Sequence, residues 1–424
     1  MDMLSVTSYS KKEQKSNYYR NVILLSLILS VLWVIFINAK PFSDFDYYYK
    51  LATNISKGGK WGNTYTSVGY SIILGGIFKI FGPSVVVAKI FNLILTFVNN
   101  LIFLAILRKI EITEKHRKII FTMFALFPNN IFYNSVLGTE ILFTTVLLLI
   151  TYIYFTDMKY KYIIIGILTG LNTMVKPFFI AYAFAIFLVE LLKERSLLKP
   201  IKSFLIIFLV GNICIAPWIY RNTKLNGQFT YVSNNGGIVL YINNNSQNKT
   251  GMWMPASDVK DSLVEKDEYK RASMTEKNNM LKKEAKKWIK SHPKEFVNLG
   301  VKRLVITYMC GNDTLYSTYG SNLSENTKIT LFYAINVIRN LVFIPAIIYM
   351  IFYSLFIIVK MIKRKTNKLN KFNLYCTVIF YMFTTVYFVT EGQGRYAFPL
   401  IFIMVYFWYY LINHFILIIK EFKR

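Results

Sequence analysis

Histidine, cysteine and acidic side chains are all scarce in this chain, and each shortage removes a class of function. The three histidines, His116, His292 and His414, lie far apart, so no His-based metal motif is visible. The three cysteines, Cys214, Cys310 and Cys376, are as scattered, and two of them sit in or beside apolar runs, where a thiol behaves as a small hydrophobe. Neither a disulfide framework nor a metal-thiolate site follows. Only 22 Asp and Glu stand against 50 Lys and Arg, a net charge of +28. Such an excess invites a nucleic-acid partner, but the basic residues cluster in short segments between apolar runs, as the positive-inside rule gives a membrane protein. No nucleic acid is expected. No internal repeat of the kind that marks many secondary transporters is visible either.

What the chain has in plenty is apolar side chains, over half of all residues, in runs too long for a soluble core. These runs are continuous rather than alternating, which excludes a barrel and predicts an all-α polytopic membrane protein. Lys11, Lys12, Lys15 and Arg20 precede the run 22–38, so the N-terminus is read as cytoplasmic and the first helix as running outward. That run is long and lacks a small-residue cleavage pattern after it, so it reads as an uncleaved helix. Spans 85–107, 119–136, 141–155, 163–175, 177–192, 204–217, 329–359, 374–389 and 398–419 follow. The basic segments 108–118, 157–161, 193–202, 360–371 and 420–424 lie inside. The expectation is about ten spanning helices with extracytoplasmic loops, both termini cytoplasmic, integral to the plasma membrane. Residues 1–220 form an N-terminal transmembrane module, 221–328 an extracytoplasmic loop region, and 329–424 the C-terminal helices. Within the loop region, 275–289 has the spacing of an amphipathic surface helix, and 293–309 reads as a second one lying on the membrane.

The first span is followed almost at once by Ser43-Asp44-Phe45-Asp46-Tyr47-Tyr48-Tyr49. An ionisable group beside the bilayer is costly unless solvated or paired, so two Asp residues among four aromatics at a membrane surface are a candidate site. A solvated loop start that happens to hold two acids is the alternative. The topology puts Asp44, Asp46, Glu140, Lys176, Arg221, Glu391 and Arg395 at external helix ends or loops, although hundreds of residues separate them. Acids could bind a sugar or take a proton from a hydroxyl, and Arg could hold phosphate by its planar fork. Lys176 is either a snorkelling anchor or a cation placed for an anionic ligand. A carboxylate base with phosphate-holding cations is what glycosyl transfer from a phospholipid donor needs. The plainer alternative is that each charge merely avoids lipid at a helix end.

Asp44, Tyr48 and Ala52, spaced by four, resemble the aspartate-tyrosine-alanine pattern in the first external loop of lipid-dependent GT-C glycosyltransferases of family 39. This family includes protein O-mannosyltransferases and the lipid A aminoarabinose transferase. Further pieces stand in the family's order: Gly69-Tyr70 through Phe81-Gly82, Thr139-Glu140, Met174-Val175-Lys176-Pro177, Pro217-Trp218-Ile219-Tyr220-Arg221-Asn222 and Arg395-Tyr396. The resemblance implies a GT-C-like helical bundle. It also implies an inverting transfer of a sugar from a polyprenyl-phosphate donor to a glycan, lipid or protein acceptor at the extracytoplasmic surface. By resemblance Asp44 is the catalytic base, and Arg221 and Arg395 contact the donor phosphate. Lys176 stands where many relatives carry Arg before Pro. The remaining substrate-binding candidates are Asp46, Tyr48, Glu140, Asn222, Glu391 and Tyr396. Asp46 fits no position of the pattern; it could bind the sugar, support a metal or be the base itself. No cofactor is called for, and a divalent cation stays open. A transporter or flippase of lipid-linked sugars, a glycan polymerase or ligase, and a scaffold subunit are the alternatives. A flippase would carry its charges at mid-helix depth.

Overall fold

The computed structural model describes residues 17–194, 196–311 and 313–422. Lys11, Lys12 and Lys15, on which the orientation of the first helix was argued, lie outside them, as do Lys423 and Arg424. The chain runs from α1 (Tyr18–Ile37) into the amphipathic α2 (Ser43–Ser56), against which α3 (Gly69–Phe81) packs. After α4 (Val85–Lys109) come α5 (Glu114–Ala125), the short α6 (Pro128–Phe132) and α7 (Glu140–Tyr154). Two helices, α8 (Lys161–Val175) and α9 (Tyr182–Lys193), lead to α10 (Leu198–Asn226). An outer unit then holds α11 (Gly236–Asn243), α12 (Asp267–Arg271) and α13 (Met274–Ser291). The chain returns through α14 (Pro293–Met309) and α15 (Asp313–Thr318) to α16 (Glu325–Ile362), α17 (Lys371–Val389) and α18 (Ile401–Phe422). No strand occurs among the described residues.

Six of these stretches are long and apolar enough to cross a membrane: α1, α4, α10, α16, α17 and the segment 394–414 that enters α18. The apolar α3, α7 and α8 are shorter. The molecule is a multi-pass membrane protein, and the lipid-facing sides are explicit. Leu24, Ile28, Ile35 and Phe36 on α1 and Val337, Leu341 and Phe352 on α16 are exposed, an arrangement that lipid but not water tolerates. By contrast α7 is buried along nearly its whole length. Its neighbour α8 lies so close to α10 that a Cβ on Gly170 would stand 2.6 Å from the Gly211 carbonyl oxygen. Only glycine permits that approach.

The structure departs from the expected spans in three places. The stretch 119–136 is not one helix: α5 stops at Ala125, and Pro128 starts α6. Asparagines repair the break, with Asn130 Nδ2 donating to Phe124 O at 2.8 Å, and Asn92 Nδ2 from α4 donating to Asn134 O and Val136 O at 3.2 and 2.8 Å. Irregular backbone inside a bundle survives only with such partners. Secondly, α10 does not end at Pro217 but continues to Asn226, so Arg221 and Asn222 are on a helix rather than in a loop. Thirdly, 293–309 does not lie free on a surface: α14 packs against α16 and α17 and buries Leu299, Arg303 and Thr307. The expected amphipathic helix is α13, started by a capping box of Ser273 and Glu276 and burying Leu281 and Ala285.

Arg303 fastens this outer part to the bundle. Its guanidinium, with no exposed surface, donates to the carbonyls of Phe388 (2.6 Å), Val389 (3.3 Å) and Asn243 and to Asn244 Oδ1 (3.0 Å). Gly392 N also donates to Gly251 O at 3.1 Å, and both glycines press on Arg303. Arg339 on α16 similarly donates to Thr307 O (2.6 Å) and Gly394 O (2.9 Å).

Candidate active site

Between α1 and α2 the chain turns through two non-glycine residues in the left-handed region, Asn38 (φ 41°) and Ser43 (φ 47°). Ser43 has no Gly-like freedom there, and such a backbone costs about 1–2 kcal/mol unless its surroundings hold it. Lys89, buried on α4, does so by donating to Ala39 O at 2.8 Å, and Phe42 stacks on Tyr319 with ring centroids 4.0 Å apart. The strained turn sets Asp44 and Asp46 in the first turn of α2, not in the loop the sequence suggests, and the helix dipole favours a negative charge there.

From this position Asp44 Oδ2 accepts a hydrogen bond from Arg395 Nη2 at 2.8 Å; the two side chains are 51% and 11% exposed. Arg395 continues into a relay. Its Nε donates to Gln393 Oε1 (2.6 Å), Gln393 Nε2 donates to Glu391 Oε1 (2.7 Å), and the Tyr396 hydroxyl donates to Glu391 Oε2 (3.0 Å). The guanidinium also sits 5.3–5.9 Å from the ring centroids of Phe45, Tyr396 and Tyr316, within cation–π range. The fork is therefore oriented from every side while its carboxylate partner stays open to solvent.

A second ion pair lies beside the first and deeper. Glu140, with 1% of its side chain exposed, accepts from Lys176 Nζ at 3.3 Å and from the Tyr133 hydroxyl at 3.2 Å. Lys176 Nζ also stands 5.3 Å from the centroid of the Tyr396 ring, which joins the two pairs. Burial holds the Lys176 ammonium below the usual lysine range, opposed by Glu140 and reinforced by the Arg395 charge. Tyr48, whose ring meets Tyr70 edge-on at 5.8 Å, has its hydroxyl pushed up by burial first and the Asp44 charge second. The buried Tyr70 hydroxyl has no hydrogen-bond partner among the described residues.

Lys176 is placed by its neighbour α3. A Cβ on Gly69 would lie 2.7 Å from the carbonyl carbon and oxygen of Met174. Gly69→Ala is expected to push α3 off the end of α8 and to cost about 1–3 kcal/mol, the scale of overpacking. Thermal unfolding of the purified protein measures it, and an unchanged transition would mean that the contact relaxes freely.

The structure thus brings together Asp44, Tyr48, Glu140, Lys176, Glu391, Arg395 and Tyr396. Asp46 stands apart, paired only with Lys50 one turn along α2 at 2.6 Å and in solvent. Arg221 and Asn222 are elsewhere. Arg221 Nη2 donates to the carbonyls of Trp61 (3.3 Å) and Gly62 (2.6 Å), its guanidinium lies 4.3 Å from the Trp218 ring, and Asn222 is buried under Tyr231 and Val232. Arg221 borders an apolar groove of about 440 Å³ lined by Trp61, Ile72, Leu171, Met174 and Trp218. Gln393 and Tyr133 are additions that the sequence reading missed, and Tyr70, which it placed only in a motif, joins them. Gln393 alone left a signal, being the polar residue between Glu391 and Arg395. For a divalent cation, Asp44 and Asp46 are the candidate donors, and each is engaged by a basic side chain. No group of three His, Cys, Asp or Glu is placed to hold a metal ion among the described residues.

No protein-family model and no curated protein matches the sequence. The fold, however, is similar to that in the crystal structure of the Archaeoglobus fulgidus oligosaccharyltransferase, tethered through a disulfide bond to an acceptor peptide containing the NVT sequon. The TM-score is 0.51 at 13% identity, over 94% of this chain and 50% of that one. This chain has a GT-C-type fold. It spans about half the length of that transferase, and the likeness is one of architecture.

Proposed function

We propose that the protein is an inverting glycosyltransferase that moves a sugar from a polyprenyl-phosphate donor to an acceptor at the extracytoplasmic membrane surface, the acceptor being a cell-envelope glycan, lipid or protein. The observation that carries the reading is the Asp44–Arg395 contact at 2.8 Å, a solvent-open carboxylate next to a buried, oriented guanidinium. Asp44 takes the proton of the acceptor hydroxyl as its oxygen attacks the anomeric carbon. The bond from that carbon to the phosphate oxygen breaks on the opposite face. Arg395 and Lys176 receive the negative charge that develops on the departing phosphate, where preorganised cations are most effective. Glu140, Glu391 and Gln393 orient those cations rather than meet substrate. The apolar groove beside Arg221 suits an isoprenoid tail, with Arg221 at its polar end. A binding role for Asp46 and Tyr48 toward the sugar is consistent with their place on α2.

The Asp44–Arg395 and Glu140–Lys176 pairs stand at helix ends rather than along the helices, which favours transfer over transport. Lipid extracts of cells with and without the protein test the choice. Cells that lack it are expected to accumulate a polyprenyl-phosphate sugar that wild-type cells consume. An unchanged lipid profile together with unchanged envelope glycans would remove the transferase reading.

A further inference from the structure

The outer unit carries a cavity of about 480 Å³ that the reaction site does not use. Tyr241, Gln247 and Trp288 line it, and charged side chains of both signs, among them Asp261, Glu284 and Lys287, share its wall. The wall is fixed in advance. Asn245 Nδ2 donates to Tyr241 O (3.0 Å) and Ile242 O (2.9 Å), and Asn245 Oδ1 accepts from the backbone of Gln247 and Asn248, both at 2.9 Å. Trp288 Nε1 donates to Ser246 Oγ at 2.8 Å, and the Tyr241 hydroxyl accepts from Leu263 N at 3.0 Å. A preformed cavity spares a ligand the cost of ordering its walls.

The lining decides the ligand class. Neither a simple anion nor a cation is favoured where acids and lysines alternate. Aromatic rings beside amide, carboxylate and ammonium groups suit a polyhydroxylated ring, whose apolar face packs on the aromatic and whose hydroxyls bond to the polar side chains. An extended peptide would want a sheet edge or an apolar groove, and no strand exists among the described residues. The cavity wall is joined to the reaction site: Asn244, which lines the cavity, donates through Nδ2 to Val389 O at 3.1 Å, two residues before Glu391.

We propose that this cavity binds sugar units of a glycan acceptor, holding the chain so that its terminal hydroxyl reaches Asp44. The inference rests on the transferase reading and narrows its acceptor to a glycan. Calorimetry on the full-length protein in lipid nanodiscs, titrated with glucose, galactose and N-acetylglucosamine trisaccharides and with a tripeptide control, tests it. At least one trisaccharide is expected to bind. Trp288→Ala and the conservative surface change Glu284→Gln should each weaken it about fivefold or more. Absence of trisaccharide binding, binding that survives both cavity substitutions, or binding of the peptide alone overturns the proposal. Trisaccharide binding with the expected pattern but no transfer from any polyprenyl-phosphate sugar would sink the transferase reading and leave the cavity standing. Transfer with an unchanged acceptor KM in both cavity variants would do the reverse.

Discussion

Replacing Asp44 by asparagine is expected to lower turnover by about 10²–10⁴-fold, the span that one general base supplies, without unfolding the protein. Asn keeps the shape of the side chain and a hydrogen bond to Arg395, but it cannot accept a proton. The side chain is half exposed, so the loss of its charge strands no buried carboxylate partner away from water. Asp46→Asn makes the internal control. Asp46 pairs with the solvent-facing Lys50, a surface pair worth little to stability, so that variant should retain measurable turnover with at most a weaker affinity. The assay is transfer from a synthetic polyprenyl-phosphate sugar by the purified protein. The reverse ranking would assign the base to Asp46, and full activity in both variants would refute carboxylate catalysis here.

The second large effect concerns the pair beneath the base. Lys176→Met should destabilise the protein by about 3–5 kcal/mol, because it takes from the buried Glu140 carboxylate the counter-ion that is hydrogen-bonded to it. Glu140→Gln in the same background removes that stranded charge and should restore much of the loss. The recovery separates an electrostatic cost from lost packing. Unfolding of the two single variants and the double variant gives the coupling directly, and additive effects would mean that the pair is not coupled. Activity should behave differently. On the proposed mechanism both the Lys176→Met and the double variant lose the cation offered to the phosphate, so neither should regain turnover when stability returns.

Much of the architecture could be read from the chain because lipid imposes a simple code, with long apolar runs bounded by basic segments. It is why α1, α4, α16 and α17 appear close to where hydropathy puts them. The code is blind to polar repair inside the bundle. Asn92, Asn130 and Asn134 make a broken helix affordable, yet in sequence they look like interruptions at no particular place. Candidate residues were legible one by one as charges at helix ends, and their pairing was not. Asp44 and Arg395 are 351 positions apart, and nothing local distinguishes Arg395 from Arg221, which makes its bonds to a loop carbonyl instead. The strained backbone at Ser43 was equally hidden, since serine at that position carries no mark of a left-handed turn.

The Arg303 clasp reaches further than the join it makes. It ties the outer unit, through Asn243 and Asn244, to the carbonyls at 388–389. A few residues further along the chain stands Arg395, the partner of Asp44. One buried guanidinium thus anchors both the outer unit and the backbone from which a second guanidinium is presented, so damage at Arg303 would be felt at the Asp44 carboxylate although the two side chains never meet.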